Sequence, residues 1–204
     1  MSIDSELKIF YSKHGFGEDF GFRPKTISVY TGCMLVPLPN IETRRTYLKY
    51  HDIHHLVTGY TVGRIGEGKI SAWELGTGSA FINPMLGVMN LIALSTGLFL
   101  EPKDMWNAFK RGCISTNLYS KKMRNSVDNQ KWSNIKQLQE SVLEFKQDSV
   151  SIFRAIEFAL YSLFAVLIHA ILVVPAIILR FVTDTIFNGG IFEAVKPKKR
   201  DDLF

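Results

Sequence analysis

His51, Asp52, Ile53, His54 and His55 stand in a row, and Glu67 follows after a gap of eleven residues, Leu56 to Gly66. Imidazoles four residues apart project from one face of a helix, one turn above the other. Two nitrogens so placed can grip a single ion, as in metalloprotease helices that carry H-E-x-x-H. Asp52 lies three before His55 and can lean over the same face, whereas Glu67 has to arrive from the next segment after the chain reverses. His51, Asp52, His55 and Glu67 together offer two nitrogens and two carboxylates to a divalent metal. That mixture suits zinc, iron or manganese and does not choose between them. His54 points elsewhere on the helix, as a packing or supporting residue. The alternative for this stretch is a helix that only caps and pairs its own charges.

The elements that must position these groups are legible around them. Asn40 after Pro39 reads as an N-cap, Ile41 to Val57 is helix-compatible, and Thr58-Gly59 supplies a stop. His51 and His55 then fall in the last two turns, where the negative end of the helix dipole favours a cation. Arg44, Tyr47, His51 and His55 recur at spacings of three, four and four on one face. A guanidinium two turns away, about 10 Å along the axis, is placed to hold an anionic head group bidentately; the alternative is a solvated surface charge. Gly63 to Lys69, GRIGEGK, lacks the Walker spacing and the hydroxyl after the lysine, so it reads as a turn that carries Glu67.

The pattern H-D-x-x-H-x11-E at His51, Asp52, His55 and Glu67 resembles the signature of the ubiquinone (coenzyme Q) biosynthesis protein-four family. Its surroundings are similar too: Pro37-Leu38-Pro39-Asn40, Arg44-Arg45, Leu56-Val57-Thr58-Gly59-Tyr60 and Ala72-Trp73-Glu74-Leu75-Gly76, with a weaker second block at Arg111-Gly112 and Asn117-Leu118-Tyr119. The similarity covers roughly residues 30–145 and leaves the tail outside it. It implies a protein of late coenzyme Q assembly that acts on polyprenylated benzenoid intermediates, by oxidative decarboxylation and hydroxylation at ring carbon one. It further implies that Arg44 grips a ring carboxylate. Small residues of the segment from Phe81 to Leu100, Gly87, Asn90 and Gly97, would line an apolar groove for the polyprenyl tail. Other quinone-biosynthesis proteins are the implied partners.

Length and composition bound the remaining classes. The 204 residues suit one domain with a proper core. With 24 basic and 19 acidic residues the formal charge is +5, and no basic patch interleaved with aromatics argues for nucleic acid. Cys33 and Cys113 form neither a disulfide framework nor a zinc knuckle, and the acidic amino terminus resembles no secretory or organellar leader, so a reducing cytoplasm is expected.

Residues 11–24, glycines among aromatics, read as a loop or loose arm. Phe81 to Leu100 carries no charge; Pro84 and scattered polar residues favour a buried central helix over a span. Ile135, Leu138, Val142 and Phe145 recur at helical spacing and predict an amphipathic packing helix. Phe158 to Leu179 passes 22 residues without a formal charge, long enough for the hydrocarbon core. Lys196, Lys198, Lys199 and Arg200 beyond it favour a cytoplasmic tail. The metal-binding part is expected on that same side, so a re-entrant or interfacial helix bent near Pro175 competes with a simple span.

The expectation is an all-α fold: a compact helical metal- and lipid-binding domain over 1–150, a hydrophobic membrane-associating segment over 151–190 and a basic tail over 191–204. Two functions compete with a metal-dependent enzyme at the cytoplasmic membrane face. One is a lipid-binding scaffold with a structural metal. The other is a histidine-aspartate phosphohydrolase, for which His14 is the one upstream histidine.

Overall fold

The computed structural model describes residues 1–14, 25–31, 34–143 and 151–187. Nine helices and one hairpin are found among them: α1 (Ile3–Lys13), β1 (Thr26–Thr31), β2 (Met34–Pro39), α2 (Glu42–Thr58), α3 (Arg64–Gly76), α4 (Ser79–Ile82), α5 (Pro84–Leu100), α6 (Pro102–Cys113), α7 (Lys121–Asp128), α8 (Ile135–Val142) and α9 (Ile152–Phe187). The mostly helical fold is as expected. The hairpin is an addition; β1 and β2 pair antiparallel from Thr26 opposite Pro39 to Thr31 opposite Met34, through a segment, TISVYT, rich in β-branched residues.

Helix α3 is the middle of the domain. Ile70, Ala72, Trp73 and Leu75 are wholly buried on it, and α5 and α6 pack on two of its sides. Both contacts are close because glycine meets glycine. A Cβ on Gly97 of α5 would stand 2.3 Å from the Met105 sulfur and 3.2 Å from the Gly68 Cα. A Cβ on Gly112 of α6 would stand 2.1 Å from the carbonyl oxygen of Trp73.

Several local expectations change. Asn40 does not cap α2: Ile41 holds the N-cap position, and the Asn40 side chain instead accepts from Arg44. The helix stops at Gly59, which takes the left-handed conformation with φ 77°, a backbone that only glycine adopts at no steric cost. Glu67 sits in the first turn of a helix, not in a turn, because the chain reverses earlier, between Gly59 and the N-cap Gly63. Tyr11 to Lys13 belong to α1, so the start of the expected loose arm is helical, and residues 15–24 lie outside the described ones. The uncharged run from Phe81 breaks at Asn83, whose side chain caps α5 through the Met85 N–H with Pro84 in the first helical turn. One face of α5 is buried, but Met85, Val88, Phe99 and Leu100 are exposed. Ile135, Leu138 and Val142 pack into the core as expected, while Phe145, Cys33 and the basic tail fall outside the described residues.

Helix α9 is one continuous helix of 36 residues that runs on through Pro175. Its stretch from Ile152 to Leu179 is long and apolar enough to cross a membrane, and little of it is buried. Arg154 pins its start to the domain by donating to the carbonyl of Gly76 and, at 3.2 Å, to the Cys113 sulfur.

The two glycine contacts differ in what blocks them. Gly112→Ala meets backbone, which cannot move aside, whereas Gly97→Ala meets a methionine side chain that can rotate. Overpacking typically costs about 1–3 kcal/mol, and Gly112→Ala should lie at or above that range with Gly97→Ala below it. Thermal unfolding of the two variants checks the order; equal losses would count against the α3–α6 contact as described.

Candidate metal centre

The last turns of α2 and the first turn of α3 bring three donors together. Nitrogen atoms of His51 and His55 and a carboxylate oxygen of Glu67 all lie within 4.8 Å of one another. His51 Nε2 is 3.4 Å from Glu67 Oε2, and His55 Nε2 is 3.6 Å from Glu67 Oε1. Two donors each about 2.1 Å from one ion, at a tetrahedral angle, stand about 3.4 Å apart. The spacing therefore fits an ion shared by the three.

Hydrogen bonds on the far side of each ring fix the tautomers. His55 Nδ1 faces the carbonyl oxygen of Tyr60 at 2.9 Å; a carbonyl only accepts, so Nδ1 carries a proton and Nε2 is turned to Glu67. That Nε2 is buried and makes no hydrogen bond. A buried ring nitrogen so placed, 3.6 Å from a carboxylate oxygen, is positioned as a metal ligand would be. His51 is arranged likewise, with Nδ1 donating at 2.9 Å to Glu74 Oε1 and Nε2 turned to Glu67.

Glu74 is the residue that reading the spacing missed. Wholly buried, it accepts at Oε1 from His51, from His54 Nδ1 at 2.8 Å and from the Tyr119 hydroxyl at 2.6 Å. The Leu118 N–H donates to His54 Nε2 at 2.9 Å, which puts the His54 proton on Nδ1 and makes this histidine a support, as expected. A signal was present: Glu74 is an acid inside the apolar run Ala72-Trp73-Glu74-Leu75, seven residues and so two turns from Glu67 on one helix face. Burial works against the charge of Glu74, but His51 and His54 outweigh it and hold the carboxyl well below the usual range. Glu67 is held low in the same sense by His55 and His51 against its burial. Burial pulls His51 down, and Glu74 and Glu67 more than reverse this and hold it well above the usual range.

Asp52 is near but not in the group of mutually close donors. Its Oδ2 accepts from the Tyr11 hydroxyl at 2.9 Å, and burial, the largest influence, raises its pKa to about 6. Tyr11 of α1 was not expected at the site. His14 takes no part in the donor group.

Above the trio opens a cavity of about 320 Å³. His51, Asp52, Glu67, Arg44 and Arg64 form its polar end; Ile27 and Leu38 of the hairpin and Met85, Val88, Met89 and Ile92 of α5 line its apolar part. Arg44 therefore stands where the helix-face argument put it, and Asn90 also lines the cavity, donating to Ser79 Oγ. Gly87 and Gly97 do not line it. Gly87 is packed on Ala80, where a Cβ would come within 2.8 Å of the alanine Cβ, and Gly97 is packed on Met105 and Gly68. Both serve helix contacts, and the larger side chains of α5 make the apolar wall instead.

No family model, curated protein or solved structure matches the chain. The chemistry has to be argued from the site itself. A tetrahedral ion held by these three donors would keep one position open.

His51→Ala, His55→Ala and Glu67→Gln should each lower metal occupancy by about an order of magnitude or more. Glu74→Ala touches no ion, yet it removes the acceptor that orients His51. Loss of such a partner typically lowers affinity about 10- to 100-fold. Elemental analysis and titration against a competing chelator read both effects. Full occupancy in the first three variants would remove the metal centre, and an unchanged affinity in the fourth would make Glu74 a stability residue only.

Proposed function

We propose that the chain is a metal-dependent protein of late quinone synthesis that binds a polyprenylated benzenoid precursor at the cytoplasmic face of a membrane. The observation that carries this reading is the donor group of His51, His55 and Glu67, of which His51 and Glu67 line the polar end of a cavity with an apolar wall. Such a cavity suits an amphiphile, with a small polar ring against the ion and an isoprenoid chain along α5 and the hairpin. The resemblance at His51, Asp52, His55 and Glu67 supplies the substrate class and the reaction. The same reading places the chain beside other quinone-biosynthesis proteins.

The ion would supply a Lewis-acid or redox centre at the ring carbon. Arg44, lining the cavity beside His51, would hold a ring carboxylate. Glu74 keeps the His51 proton on Nδ1 so that Nε2 faces the ion, and His55 is oriented by the Tyr60 carbonyl in the same way. Exchange of the ring carboxyl for a hydroxyl would release carbon dioxide, with one atom of dioxygen entering the ring and the other leaving as water at the expense of two protons and two electrons from an external reductant. A scaffold with a structural metal is the second reading, and a group of three donors instead of four favours the enzyme over it. A histidine-aspartate phosphohydrolase gains nothing from His14, which lies tilted against Phe10 at a ring distance of 4.8 Å and outside the donor group.

Mass spectrometry of co-purified lipid, with elemental analysis of the same sample, tests the proposal. A polyprenyl benzenoid and one bound divalent ion are expected; a metal-loaded protein carrying only bulk phospholipid would overturn it. Arg44→Ala should keep the metal and weaken turnover of the acidic precursor by about tenfold or more, the loss of one charge-assisted bidentate contact. If precursor modification persists in cells whose His51, His55 and Glu67 variants have lost the metal, the scaffold reading replaces the enzyme.

A further inference from the structure

Helix α9 presents two unlike faces. Arg154, Phe158, Tyr161, Ala165, His169 and Ala176 turn inward along it, at the three- and four-residue steps of one helix face. The domain meets this face along its whole length. Phe158 lies against Phe109 and Trp106 of α6 at ring distances of 5.0 and 5.2 Å, His169 lies 5.1 Å from Phe99 of α5, and the hairpin also contacts the helix. From Arg154 to Ala176 the packed face extends about 33 Å, as long as the hydrocarbon core of a bilayer is thick.

The other face is apolar without a break. Leu160, Leu163, Leu167, Ile171, Val174 and Ile178 are all exposed on it, whereas the polar atoms Ser162 Oγ, His169 Nδ1 and Thr185 Oγ1 are buried. Polar atoms inward and aliphatic groups outward is the order of a helix solvated by lipid. A protein partner would need polar groups for its rim and register, and from Leu160 to Ile178 this stripe, which also carries Phe164, has none. Phe99 and Leu100 of α5, beside the inward face of α9, are exposed as well, next to Glu101 and Lys103, which are exposed and charged.

That juxtaposition decides the orientation. His169 is near the middle of the uncharged run from Phe158 to Leu179. Were the run to stand upright across a bilayer, Phe99 and its charged neighbours Glu101 and Lys103 would be carried to mid-depth, where charge is costly. Laid flat, the same helix buries its outer stripe in one leaflet and leaves those charges at head-group level.

We propose that α9 lies along the membrane plane and, with the exposed face of α4 and α5, seats the domain in a single leaflet. Met85 and Val88 are exposed on α5 and line the cavity, so an isoprenoid tail enters from the acyl chains without crossing water. The seating rests on the membrane association in the reading above, and the entry route rests on the cavity being the lipid site.

The test uses the full chain with Cys33→Ser and Cys113→Ser, reconstituted in vesicles of phosphatidylethanolamine and phosphatidylglycerol. Spin labels are placed singly at Leu160, Leu167, Val174, Ile178 and Phe81, all surface positions, and their depth is read from relaxation by oxygen and by a water-soluble nickel chelate. Equal depths to within about one helical turn, 5 Å, are expected for all five. A gradient of about 27 Å from Leu160 to Ile178 means a span and overturns the proposal. Labels shielded from both reagents, with dipolar broadening between copies, mean that a second chain covers the stripe and overturn it equally. Metal and co-purified lipid are measured on the same preparations. Equal depths without a quinone precursor leave the seating standing and sink the functional reading, whereas a bound precursor with a depth gradient does the reverse.

Discussion

A single buried carboxylate joins the core of this protein to its candidate metal centre. Glu74 Oε1 accepts from His51 and His54 of α2 and from Tyr119, so the acid on α3 ties together three parts of the chain far apart in sequence. An ionised carboxylate in an apolar interior is tolerable only when its partners are in place. Removing one partner would therefore disturb all of them, and packing and metal binding share one network. The bond from His51 Nδ1 to Glu74 also turns His51 Nε2 toward Glu67.

The eleven residues between His55 and Glu67 act as a measured reversal. Gly59 ends α2 in a left-handed turn, Gly63 opens α3, and Gly66 lies so near the Thr61 carbonyl that a Cβ would stand 1.8 Å from its oxygen. Only a chain of glycines turns back tightly enough to bring an acid of one helix onto two imidazoles of another. Arg111 closes the arrangement by donating to the Thr58 carbonyl at 2.9 Å, a cation at the negative end of α2.

Polarity in the molecule is graded, from the charged floor at Glu67, His51 and Arg44 through the aliphatic wall on α5 to the lipid-like face of α9. Each step suits one part of an amphiphile. A water-soluble substrate would have no use for the apolar wall, and a purely apolar one none for the two arginines.

What the sequence determined is what depends on distance along the chain. The common face of His51, His55 and Arg44 follows from 3.6 residues per turn, the end of α2 from Gly59, and the apolar length of α9 from its composition. What the tertiary structure decided depends on distance through space. Glu74 became the partner of His51, Asp52 was engaged by Tyr11, and Gly87 and Gly97 became helix contacts instead of cavity lining. Spacing places a side chain on a face, but only the packing of α1, α3, α4 and α6 sets what that face meets. For α9, likewise, composition gave a length sufficient to cross a bilayer, and the domain packed along one side of it decides which face stays exposed.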